Sequence, residues 1–202
     1  MKIRSFKSDD ATSVKRIYRE SFAGYPWFED LSEETISQRW AESVNKTGFD
    51  CLVAEIEGKV AGATWWDIPS LERLAVERGD VLAGFARTRL EKNMTIIWVR
   101  NTIVDPRFQR QRVTTLLKDR FLALLAEAQC LMLTRMRDDN SSIIHINQKA
   151  GFKRTGIRMP CDIKPSVCHE YWYLITDQVL KEDLFHNSGA EECTWYHPML
   201  VC

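Results

Sequence analysis

The alternation of apolar and polar residues lays the chain out as short strands and amphipathic helices. Lys2 to Phe6 alternates as a first strand, and Ser8, Asp9 and Asp10 supply capping and acidic residues ahead of a helical stripe of Val14, Ile17, Tyr18 and Phe22. Residues 24–28, with a glycine, a proline and three aromatic rings, break that helix. A second helix starts at Leu31 to Thr35 and carries Ile36, Trp40 and Val44 at helical spacing. Residues 50–57 and 60–68 read as a hairpin turning at Gly58-Lys59. Pro69 ends it, and residues 70–92 read as a largely helical insertion interrupted by Gly79 and Gly84.

Met94 to Val104 is a β-branched strand, followed by a proline-marked polar turn from Asp105 to Arg112. Val113, Leu116, Leu117, Phe121, Leu124 and Leu125 then form the stripe of a long helix. Cys130 to Met136 is the next strand, and the polar cluster 138–142 caps a short helix closed by Gly151-Phe152. This strand, helix, strand order predicts two neighbouring parallel strands with a right-handed crossover. Residues 152–159 and 169–175 add two strands, so an α/β fold with a mixed, mostly antiparallel sheet and helices on both faces is expected. One domain spans residues 1–176, and residues 177–202 read as a short helix and tail.

Composition changes this picture little. With 202 residues, 45% hydrophobic and 28% charged, the chain is ordinary for a globular domain and buries about two-thirds of its unfolded surface. Lys+Arg and Asp+Glu are 28 each, so no long-range field draws it to nucleic acid or membrane. No apolar run nears the roughly 20 residues of a membrane span, and residues 1–7 lack a signal-peptide core, so the cytoplasm is the expected compartment. The six cysteines show no short repeated spacing and imply no disulfides. His186, Cys193, His197 and Cys202 have zinc-ligating side chains, but their spacing matches no familiar finger and no metal is expected.

The candidate chemistry sits at the turn. A strand, an arginine-bearing turn and a helix N-terminus together favour an anion, because the first helical N–H groups lack partners and arginine adds bidentate donors. Val104, Pro106 and Gln109, the helix that follows, Asn140, and Gly151-Phe152 resemble the GNAT superfamily of N-acyltransferases. The likeness covers residues 1 to about 176, and the insertion and the tail lie outside the family minimum. The family signature is V-x-P-x-x-Q/R-x-x-G-x-G/A, and here Arg112 and Thr114 replace its small residues.

The resemblance implies acetyl-CoA as cofactor, held at its pyrophosphate by Gln109, Arg110, Gln111, Arg112, Val113, Thr114 and Thr115. It implies a splayed parallel strand pair in which the backbone of Thr102, Ile103 and Val104 holds the pantetheine arm, with Asn140 and Asn147 completing the cofactor site. One backbone N–H of that strand, where Asn101 is the candidate, would stabilise the oxyanion. Family members usually add a glutamate base on this strand and a tyrosine acid on the following helix. Here the strand has Arg100 and Asn101, and Asn147 holds the tyrosine position but cannot donate a proton.

Three explanations stand: Glu170, Tyr171 or Tyr173 substitutes, water suffices, or CoA is bound without turnover. Tyr173 also reads as a packed strand aromatic, and His145 as a helix-surface residue. The expected function is transfer of acetyl to a primary amine of a small molecule or peptide, with a catalytically inactive CoA-binding or interaction module as the alternative. The acceptor pocket is expected between Tyr25, Trp27 and Phe28, Trp98 and Arg100, and Tyr171, with the insertion as a lid. Arg100 there would suit an acceptor carboxylate or pair with a neighbouring acid. A nucleotide-binding protein is disfavoured because the turn lacks G-x-x-x-x-G-K-S/T. The aromatic last strand leaves room for a strand-mediated homodimer.

Overall fold

A single strand, β4 (Thr95–Val104), runs through the middle of a seven-stranded sheet ordered β1-β2-β3-β4-β5-β7-β6. The computed structural model describes residues 1–24, 27–161, 164 and 166–176. The other strands are β1 (Lys2–Ser5), β2 (Asp50–Ile56), β3 (Lys59–Asp67), β5 (Cys130–Arg137), β6 (Lys153–Pro160) and β7 (Cys168–Thr176). β4 and β5 are parallel and every other neighbouring pair is antiparallel, which is the mixed sheet expected from the sequence. The tail expected to hold a helix and the four zinc-type residues lies outside the described residues.

Two layers of helix cover the sheet. On one face α5 (Val113–Leu125) and α6 (Ser141–Lys149) pack on a core that includes Trp66, Ile97, Val99, Phe121, Met132 and Trp172. The fully buried Phe121 ring alone contributes about 1.5–3 kcal/mol by leaving water. On the other face α1 (Ala11–Ala23) and α2 (Glu33–Val44) cover Val53, Trp65 and Ile103. Beside them α3 (Leu71–Arg78) and α4 (Asp80–Arg87) cover Ile96, Trp98, Leu131 and Leu133. The insertion, read as helical with interruptions at Gly79 and Gly84, is two helices that part at Gly79, where φ is +90, while Gly84 lies within α4. The hairpin turn is Glu57-Gly58, one residue earlier than expected, and both residues have positive φ, as a two-residue loop of this hand requires.

Two irregularities in β4 shape everything that follows. Val99 pairs with Trp66 and Asn101 with Trp65, so Arg100 is an extra residue, a bulge. The second is an early parting. β5 pairs only with Thr95 to Val99, whereas β3 follows β4 to Val104 and β7 follows β5 to Arg137. Beyond Val99 and Thr134 the two parallel strands diverge and leave a wedge-shaped gap.

Gly62 of β3 lets α5 approach the end of β4. A Cβ there would lie 2.7 Å from the Ile103 carbonyl oxygen and 2.9 Å from Val113 Cγ1, at the first residue of the helix. Gly62→Ala is therefore expected to cost about 1–3 kcal/mol, as overpacked cores do, and to displace the start of α5. Chemical denaturation checks this, and a variant as stable as wild type would contradict it.

Candidate active site

Asp105, at the end of β4, is fully buried and fixes the corner into the next segment. Its carboxylate accepts from the Arg107 backbone N–H at 2.9 Å, from the Arg107 guanidinium at 2.6 and 2.9 Å, and from Arg16 Nη2 of α1 at 2.8 Å. Arg107, with Arg16, holds this acid well below the usual carboxylate range despite burial. The chain then makes a short 3-10 turn at Pro106–Phe108 and reaches α5 through residues 109–112.

In that approach Arg110 and Arg112 have φ of +62 and +61. Arg112, which stands where the family signature has glycine, takes the left-handed backbone that glycine adopts freely, a strain of roughly 1–2 kcal/mol for an L residue. The loop keeps its shape without the small residue. Gln109, Arg110, Gln111 and Arg112 are exposed, while Val113 is buried under Gly62 and the sheet. The N–H groups of Val113, Thr114 and Thr115 open the helix and have no acceptor within it.

Backbone of the parted strand faces the gap. The Asp105 N–H donates to Ala61 of β3, so by strand alternation Ile103 and Asn101 also face β3, and Thr102 and Val104 turn their N–H and C=O groups toward the opening. The Val104 carbonyl there accepts from Ser21 Oγ of α1 at 3.0 Å. On the α5 and α6 face, Asn147 is buried against Met136, which lies two residues past the last β4–β5 pair. Its amide donates to Met136 Sδ at 2.8 Å, while its Oδ1 is buried without a partner. Asn140 caps α6 by accepting from the Ile143 N–H at 3.3 Å. Lys118 is buried between Phe121 and Phe152, and burial lowers its amine pKa to about 8.

On the opposite face the expected acceptor residues divide. Asn101 lines a shallow cavity with Tyr18, Arg39, Trp40 and Trp65. Trp98 and Tyr171 are buried beneath α3 and β6 instead of forming an open wall, and the Tyr171 hydroxyl donates to Met159 Sδ at 3.4 Å. Arg100 is taken by Asp67 and by Glu77 of α3, the latter at 2.8 Å, so its guanidinium is already satisfied by acids of this chain. Burial opposes its charge, but these two acids more than offset that and raise its pKa. Tyr173 packs edge-on against Phe85 at 5.2 Å under α4, one pleat from the gap, so it is not brought to the parted strands. Trp27 packs on Phe22 and under the Arg137 guanidinium, Phe28 is exposed, and Tyr25 lies outside the described residues.

Side chains absent from the sequence-based site now join it. Arg78 of α3 lies 4.9 Å over the Trp98 ring with its Nε buried and unpartnered, and Arg135 of β5 is exposed at the gap. Strand alternation was the available signal, since Arg135 and Arg137 share a face with Leu131 and Leu133. No carboxylate lies on β4 itself. Glu170 shares the opposite face with Trp172 and Leu174, between Arg154 and Arg158. His145 is exposed on α6. Among the described residues no histidine, cysteine and acid cluster could hold a metal, and no helix is long and apolar enough to cross a membrane.

A wedge between parallel strands, followed by an anion-ready helix start, is matched by the family model described as the acetyltransferase (GNAT) family, over residues 11–152. The chain belongs to the GNAT acetyltransferase family. Membership makes it an acyltransferase of the acetyl-CoA-dependent class. Solved GNAT structures share the fold at low identity. A ribosomal-protein-alanine N-acetyltransferase from Brucella melitensis matches with a TM-score of 0.61 and 16% identity, over 87% of this chain and 99% of its own. A phosphinothricin acetyltransferase from Sinorhizobium meliloti, in complex with AcCoA, gives 0.61 and 16% over 87% and 88%. Ard1 from Thermoplasma volcanium gives 0.57 and 24% over 87% and 97%. No curated protein sequence matches significantly.

The α3 end of this GNAT site is held by acid-sensitive pairs. Burial would raise the Glu77 pKa, but Lys46 and Arg100 more than offset it and lower it from 4.5 to about 2. A carboxylate with a depressed folded pKa stabilises the fold above its unfolded pKa and loses that effect as pH falls. The stability difference between wild type and Glu77→Gln is expected to be full above pH 4.5 and to shrink toward pH 2. Urea titrations across that range measure it, and a pH-independent difference would oppose this account.

Proposed function

We propose that the protein transfers acetyl from acetyl-CoA to a primary amine of a small molecule or peptide, with the cofactor on the α5 and α6 face and the amine entering from the α1 and α3 face. The observation that carries this reading is the end of β4–β5 pairing at Val99 and Thr134, which leaves a gap lined by backbone of Thr102 and Val104 that β5 does not pair. The family uses acetyl-CoA, and the residues here fit it: Arg112 takes a left-handed backbone open to the glycine of the signature, the first N–H groups of α5 have no acceptor in the helix and suit an anion, and the orphaned Asn147 Oδ1 can accept from an amide of a pantetheine arm. When bound, acetyl-CoA supplies an activated thioester carbonyl.

The chain's own contribution is mostly backbone. The gap-facing N–H groups of β4 past the Arg100 bulge, those of Thr102 and Val104, are fixed by the strand's pairing with β3 and would donate to a developing oxyanion, whereas the Asn101 N–H is turned to β3. Asn147 orients and does not protonate. With no carboxylate on β4, the amine gives its proton to water, and the thiolate leaves without a dedicated acid. The same two departures, Asn147 and the missing β4 carboxylate, favour the second reading, a CoA-binding module without turnover.

Thiol release from acetyl-CoA, screened across amines beside calorimetric CoA titration, separates the two readings. Release with some amine supports transfer, and saturable CoA binding without release supports the module. If loop shape governs cofactor binding, Arg112→Gly keeps CoA affinity within about threefold, whereas Arg112→Val, a β-branched residue forced to positive φ, weakens it about tenfold. Equal losses in both variants would assign the role to the arginine charge instead.

A further inference from the structure

The parted strands open between two arginines. Arg100 is the first β4 residue past the last β4–β5 pair, and Arg135 is its counterpart on β5, on the face shared with Leu131 and Leu133. Arg78 approaches from α3, its guanidinium carbon 4.9 Å from the centre of the Trp98 ring. Acids of the chain answer only part of this charge. Asp67 and Glu77 are shared among Arg100, Arg73 and Lys46, and Glu29 binds Arg39. Among the described residues Arg78 and Arg135 form no ion pair, and the Arg78 Nε is buried without an acceptor.

A buried guanidinium nitrogen without an acceptor forfeits a charge-assisted hydrogen bond, and an anion restores it. Arg78 shows that strain, since burial, then the charges of Arg135 and Arg100, lower its pKa to about 10. Contact with the Trp98 ring helps to hold the Arg78 guanidinium in place, and the paired N–H groups of a guanidinium suit the two oxygens of a carboxylate. We infer that Arg78 and Arg135 form a carboxylate-binding site at the mouth of the gap, which selects acceptor amines whose carboxylate lies a few bonds from the nitrogen. The site rests on the acyl-transfer reading for the meaning of its ligand, though its anion preference can be measured without turnover.

Two sources present this chemistry: a free amino acid through its α-carboxylate, and a peptide whose first residue is acidic. The test is competition calorimetry on the full chain saturated with CoA. Its probes are L-methionine against L-methionine amide, and Asp-Ala-Ala amide against Asn-Ala-Ala amide. In the arm that matches the true source, the acid is expected to bind at least about tenfold tighter than its neutral counterpart. That ratio is expected to fall below about threefold in Arg78→Gln/Arg135→Gln. Arg135→Gln alone, at an exposed position, is expected to reduce it partway, and keeps the test open if the double variant fails to fold. Ratios near one in both arms for wild type, or a ratio unchanged in the variants, would overturn the proposal. Acid preference without thiol release would overturn acyl transfer and leave the site standing, and release without acid preference would do the reverse.

Discussion

The fold turns on where β4 and β5 stop sharing hydrogen bonds. A buried strand backbone must find a partner for each N–H and C=O, and after Val99 the neighbour on one side is gone. The structure answers with local substitutes. Ser21 of α1 caps the Val104 carbonyl, and the buried Asp105 carboxylate ties the strand end to α1 through Arg16 and to the next turn through Arg107. With the corner fixed, the turn delivers α5 against Gly62, and the helix N-terminus lies beside the gap. The two faces proposed for cofactor and acceptor meet at that one interrupted ladder.

The loop before α5 shows what a signature glycine is for. Arg112 occupies its position and adopts its backbone, so the requirement is a left-handed residue, and glycine is the residue that meets it with least strain. The arginine carries that strain and adds an exposed positive charge beside the helix start. A motif judged residue by residue looks degraded here, whereas the path of the chain through the loop is kept.

Most elements were legible because their periodicity is local: the β2–β3 hairpin, the stripe of α5, and the strand, helix, strand order that implies the parallel pair. The insertion was read with breaks at both Gly79 and Gly84, and sequence alone does not reveal that only Gly79 takes a positive φ while Gly84 stays inside α4. The site was harder, since its determinants are tertiary. Arg100 looked available to a ligand because Asp67 and Glu77 are 33 and 23 residues away in sequence and reach it only through the sheet and α3. Tyr173 read both as a substitute acid and as a packed strand aromatic, and only the fold, which puts it against Phe85 and puts Tyr171 at the level of Arg135, separates the two. Arg78 and Arg135 were invisible together, being 57 positions apart on elements whose contact only the fold establishes.

The extra residue in β4 leaves no mark in a run of β-branched and aromatic side chains, yet it shifts by one residue which positions face which layer. Before Arg100, the odd-numbered Ile97 and Val99 point to α5; after it, the odd-numbered Ile103 points to α1. The strand keeps serving both layers, and the bulge only shifts the alternation by one position. Removing that residue while keeping the pairing with β3 would restore a regular ladder and leave Ile97 and Ile103 on their present faces, whereas straightening the bulge with Arg100 in register and Thr95 to Val99 held in place would turn Ile103 toward α5 and Thr102 toward α1. One unpaired residue thus sets which side chains of β4 reach α5 and which reach α1 beyond Arg100.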